Sequence, residues 1–67
     1  MADKNLLHII ESTVYRDHVI KIARRGDSLR VLIYPPGEML AADIVEARIS
    51  DYENAIMLAK SKIDQVL

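Results

Sequence analysis

The sequence predicts an α+β fold: a three-stranded antiparallel sheet with a C-terminal helix packed on one face, and a short N-terminal helix as an option. Three observations carry this. His18, Ile20 and Ile22 alternate with Val19, Lys21 and Ala23, and Leu29, Val31 and Ile33 with Arg30, Leu32 and Tyr34, the period of two that marks a half-buried strand. Arg24-Arg25-Gly26-Asp27-Ser28 separates the two runs, and glycine there permits the positive φ of a tight hairpin. From Ser50 onward Tyr52, Ala55, Ile56, Ala59, Ile63 and Val66 recur at helical spacing, forming one apolar stripe.

Each element follows from its residues. Residues 3–11 fit a short helix with Asp3 as N-cap and Leu6, Leu7 and Ile10 on one side, although a strand through His8-Ile9-Ile10 stays open and so short a helix needs tertiary support. Ser12–Ala23, with Thr13, Val14, Tyr15, Val19, Ile20 and Ile22, favours a single strand. Pro35-Pro36-Gly37-Glu38 suits a type II turn, Pro36 presetting φ and Gly37 taking the positive-φ site. A loop over Glu38–Ala42 and a third strand over Asp43–Ile49 come next, because a lone hairpin is marginal and a third strand gives the helix a face to cover. The rival is a second helix, on whose one face Leu40, Ile44 and Ala47 would lie. Ser50 and Glu53 form a capping box, and Asp51 and Glu53 precede Lys60 and Lys62 as the helix dipole prefers.

The alternation sorts the sheet into two faces. His18, Ile20, Ile22, Leu29, Val31, Ile33, Val45, Ala47 and Ile49 are expected beneath the helix. Val19, Leu32, Tyr34 and Ile44 then lie on the other face among Lys21, Arg30, Glu46 and Arg48, and four such side chains call for a cover from another segment or a second subunit.

Size sharpens that demand. The 67 residues make one small domain with 51% hydrophobic residues and no cysteine. A chain this short buries only about 60% of its unfolded surface, and such domains draw on disulfides, metals or partner subunits. Without cysteine, disulfides and thiolate metal sites are excluded. A homo-oligomer is therefore expected, with a dimer favoured. The net charge of −1 gives no global field to recruit nucleic acid or an acidic membrane. The first ten residues lack the basic and apolar regions of a signal peptide, and no apolar run approaches the roughly 20 residues of a membrane span. A cytoplasmic protein without membrane contact is expected.

Tyr15-Arg16-Asp17-His18-Val19-Ile20, Ile33-Tyr34-Pro35-Pro36-Gly37 and the helical Ala55-Ile56…Ala59-Lys60…Ile63-Asp64 together resemble a group of short bacterial proteins with three strands followed by one helix. The arrangement is similar to antitoxins of the HicB type, whose helix reads roughly Thr-x-x-Glu-Ala-x-x-x-Ala; Ser50, Glu53, Ala55 and Ala59 occupy the comparable places. That resemblance implies the same strand–helix order and an antitoxin-like role for this chain. With the N-terminal helix, the order α-β-β-β-α is also that of double-stranded RNA-binding domains. Those carry a lysine cluster at the start of the last helix, where this chain has Asp51 and Glu53.

The candidate site residues form two sets. Arg16, Lys21, Arg24, Arg25 and Arg30 stand against only Asp17 and Asp27 in residues 16–30, and a basic β-ribbon is one way to engage phosphates. The plainer reading pairs this hairpin with the acidic stretch Glu38, Asp43, Glu46, Asp51 and Glu53. The second set is for self-association: Val19, Leu32, Tyr34 and Ile44 on the sheet, with Met57 and Leu58 beside the helix stripe. Arg25-Gly26-Asp27 is a hairpin turn, and His8 and His18 have no nucleophile or metal-ligand spacing around them. With two glycines in all, a phosphate-cradling loop has little scope. The sequence thus points to a non-enzymatic interaction module without a cofactor, self-associating, with nucleic-acid or antitoxin-like binding through the basic hairpin as the alternative.

Overall fold

The computed structural model describes residues 8–66. They run β1 (His8–Tyr15), β2 (His18–Arg25), β3 (Ser28–Tyr34), β4 (Asp43–Arg48), a 3₁₀ turn (Ile49–Asp51) and α1 (Tyr52–Val66). The strands pair in chain order as an antiparallel meander. The α+β class and the C-terminal helix are as the sequence predicts, but the sheet has four strands rather than three.

The additional strand arises where the sequence reads as one strand, Ser12–Ala23. That segment folds back at Arg16-Asp17, whose φ values are 51° and 66°, so that Tyr15 pairs with His18. Positive φ at both central residues belongs to a type I′ turn, which Asn-Gly or Asp-Gly ordinarily marks. Here neither residue is glycine; Asp tolerates the left-handed region better than most. The His18 ring donates Nδ1–H to the Arg16 carbonyl at 2.9 Å, bracing the turn. Pairing with β2 also makes His8–Glu11 strand, overturning the helical option for those residues; the remainder of that option, residues 3–7, lies outside the described residues.

The other turns form as expected. Arg25 pairs with Ser28 across Gly26 at φ 59°, and Glu38 N–H donates to the Pro35 carbonyl at 3.1 Å with Gly37 at φ 76°. The rival helix before Ser50 gives way to β4. The Ser50–Glu53 capping box does not form. The chain enters α1 through the 3₁₀ turn, whose N-cap is Arg48 with no side-chain cap hydrogen bond. Ile49 N–H donates to the Asp27 carbonyl at 2.8 Å, tying the end of β4 to the β2–β3 turn, and the 3₁₀ turn serves donors that a cap would otherwise satisfy.

Residues paired across a ladder share a face, which fixes the layers. Ile20 and Ile22 of β2, Leu29, Val31 and Ile33 of β3 and Val45 of β4 pack beneath Ala55, Ala59 and Ile63 of α1. The two buried alanines, one turn apart, let the helix backbone settle close onto the sheet. Ala47, Ile49, Tyr52 and Ile56 pack around this core, and His18 is buried at its rim. The helical stripe ends sooner than its periodicity predicts, since Val66 is exposed.

Two changes test this architecture. Asp17→Gly relieves the left-handed strain and stabilises the fold by roughly 0.5–1 kcal/mol, read as a raised urea midpoint; a lowered midpoint would rule out the turn. Ile22→Ala empties part of the core and costs about 3 kcal/mol, measured in the same denaturation experiment.

Candidate interaction surface

The face of the sheet away from α1 carries side chains in ordered rows. Val14, Val19 and Tyr34 make one row across β1, β2 and β3; Ser12, Lys21, Leu32 and Ile44 make the next across all four strands. Ile9, Ala23, Arg30 and Glu46 make the third. Val14 is 66% exposed, Ile9 55% and Ile44 47%, while Val19, Leu32 and Tyr34 are half-buried. The four sheet residues singled out for self-association therefore share one face, and β1 adds Ile9 and Val14 to it. Met39, in the loop before β4, borders the same end with Glu38 beside Val19, Lys21 and Tyr34.

Charges in the middle rows of this face lie flat or are paired. The Lys21 ammonium sits over the Tyr34 ring, 5.1 Å from its centroid, a cation–π contact that leaves its methylenes against the sheet. Arg30 Nε meets Glu46 Oε2 at 3.2 Å, the pairing of basic hairpin with acidic β4 that the charge pattern predicts. Arg25 and Arg48 flank Ser28 in a fourth row at the hairpin end.

The five basic candidates do not form one patch. Lys21, Arg25 and Arg30 are on the open face. Arg24 pairs with core residue Leu29 across the ladder, so it belongs to the helix side, where Nε–H donates to the Gly26 carbonyl at 2.7 Å. Arg16 stands at the opposite end of β2, its Nη1 3.3 Å from Asp64 Oδ1.

Met57 and Leu58 lie in the other layer and apart from the sheet candidates. Met57 lines an open groove of about 360 Å³ with Glu11, Thr13, Ile22, Tyr52 and Ile56, whereas Leu58 is simply exposed. Two polar contacts, one of them across this groove, latch β1 to α1. The Tyr52 hydroxyl donates to Glu11, and the Tyr15 hydroxyl donates to Asp64, 3.0 and 3.2 Å from its two carboxylate oxygens. Lys60 lies over the Tyr15 ring at 5.3 Å. Donation to Asp64, aided by desolvation and the carboxylate charge and opposed by Arg16, raises the Tyr15 pKa above its ordinary value.

Among the described residues no three His, Cys, Asp or Glu side chains gather as a metal site, and no helix is long and apolar enough to cross a membrane. Comparison of the chain with protein-family models, curated proteins and solved structures gave no match. Its surfaces must speak through their own chemistry.

The Tyr15–Asp64 latch is open to a pH test. Because the folded-state pKa is raised, its contribution is complete below the ordinary tyrosine value of about 10 and is lost as pH rises through the folded value. Amide exchange in β1, corrected for intrinsic base catalysis, accelerates in that alkaline window in the wild type. Tyr15→Phe shows faster β1 exchange already at neutral pH and no alkaline step.

Proposed function

We propose that this chain is a non-enzymatic interaction module that associates with further copies of itself through the open face of its sheet. The observation that carries the reading is that face: Ile9, Val14, Val19, Leu32, Tyr34 and Ile44 stand together on the side of the sheet opposite α1. A contiguous apolar surface on so small a body marks a contact site.

Charge favours a second copy as the occupant. Glu38 stands at the Val19–Tyr34 end of the face and Arg25 and Arg48 at the other. Two copies stacked with their strands antiparallel set each arginine pair against Glu38 of the other copy. Parallel stacking would set arginines on arginines. Lys21 and Arg30, held by Tyr34 and Glu46, present aliphatic stems to the partner rather than bare charge. Phosphate binding through the hairpin is the weaker reading, because two of its five basic residues are turned to other partners on the helix side or at the far end.

Sedimentation equilibrium at tens of micromolar tests this: an assembly larger than a monomer is expected, and Leu32→Glu lowers its mass. A wild-type monomer across that range would sink the reading.

A further inference from the structure

A four-stranded meander has two edges, and here they differ. β4 places Asp43, Glu46 and Arg48 within six residues, the charged edge that resists pairing with another strand. β1 is eight residues long and, apart from His8 at its start, its one acidic or basic residue is Glu11, itself engaged by Tyr52. Among the described residues no strand pairs with the outer side of β1. Its one guard is a bulge between Ile9 and Glu11. Below that bulge, Glu11–Tyr15 runs in unbroken register against β2, leaving a regular outer ladder of backbone donors and acceptors.

We propose that β1 pairs antiparallel with β1 of a second copy about a two-fold axis at Thr13, joining the two sheets into one of eight strands. The centre follows from the chain itself. Thr13 is the midpoint of the regular stretch Glu11–Tyr15, and pairing about it sets Thr13 beside Thr13, Ser12 beside Val14 and Glu11 beside Tyr15 of the second copy. Faces match, since Ser12 and Val14 lie on the open face and Glu11, Thr13 and Tyr15 on the helix side; a slip of one residue would set open-face residues against helix-side ones. Charges match as well. The two Glu11 carboxylates are kept apart, and each comes to lie beside Tyr15 of the other copy, over which Lys60 is already held.

This edge contact rests on the reading of the chain as self-associating and adds a second interface to it. Its two-fold axis is perpendicular to the sheet, whereas that of face-to-face stacking lies in the sheet plane. Perpendicular two-folds that intersect close together as a tetramer of D2 symmetry. The open face also becomes continuous across the joint, with Ile9 and Val14 of both copies at its middle.

The chain contains no cysteine, so single-cysteine variants test the edge directly. Cα atoms of directly opposed residues lie about 4.5–5.5 Å apart, within disulfide range. Thr13→Cys is expected to form covalent dimers on mild oxidation on the order of a hundred-fold faster than Asp27→Cys at the distant hairpin turn, as expected when a millimolar effective concentration replaces micromolar encounter. Combined with Leu32→Glu, which removes the stacked contact, the rapid crosslink persists while the mass by sedimentation falls from tetramer to dimer. If Leu32→Glu gives a monomer and Thr13→Cys reacts no faster than Asp27→Cys, edge pairing is overturned and the stacked face stands. If Thr13→Cys crosslinks rapidly but Leu32→Glu leaves the mass unchanged, edge pairing is upheld and the stacked face is overturned. A wild-type monomer with no crosslinking advantage at Thr13 overturns both.

Discussion

One helix cannot roof four strands, and much of this molecule follows from that mismatch. Strands spaced about 4.8 Å apart make a sheet some 14–19 Å wide, whereas a helix with its side chains is about 10 Å across. α1 therefore sits over β3 and β4, drawn close by Ala55 and Ala59. β1 holds the helix through Tyr15, which packs at the core's rim and donates to Asp64, and through Glu11, which accepts from Tyr52. Among the described residues no helix lies over the opposite face. A sheet this broad leaves apolar surface on the face that α1 does not cover.

The sequence made the interior legible and the topology only partly so. Period-two parity in His18–Ala23 and Leu29–Tyr34 assigned both faces of β2 and β3 correctly, and Val45 and Ala47 fell where a third strand required. The N-terminal half was harder. The type I′ turn at Arg16-Asp17 carries no glycine or asparagine, the residues that make positive φ cheap, so its strand pair looked like one long strand. Once that turn is missed, Ile9 and Val14 have no partner strand and their membership of the open face is invisible. The available signal was symmetry: Thr13-Val14-Tyr15 and His18-Val19-Ile20 are two β-prone triplets about a polar pair. The capping box failed for another reason. Ser50 and Glu53 have the right spacing, but the Ile49–Asp27 backbone bond commits the chain to a 3₁₀ entry.

The open face was legible in four of its residues because face assignment needs only parity. The basic hairpin was misleading for the same reason. Neighbours in sequence such as Arg24 and Arg25 point to opposite sides of a strand, so a dense run of charge is halved as soon as it becomes β-structure. What remains on the open face is partly neutralised by Glu46 and shielded by Tyr34. Arg48, from the stretch that reads as acidic, joins Arg25 instead. Half-exposed ion pairs such as Arg30–Glu46 add little to stability, about 0–1 kcal/mol; here they set which way long side chains lie over the sheet.

The central claim is that the open face is covered by another copy. Solvent paramagnetic relaxation of methyl groups reads it most directly. Val19, Leu32 and Ile44 methyls should lose their relaxation enhancement as protein concentration rises, while the exposed Met57 and Leu58 on α1 keep theirs. Equal enhancement of the sheet methyls at low and high concentration would mean that the face stays wet, and would contradict the account.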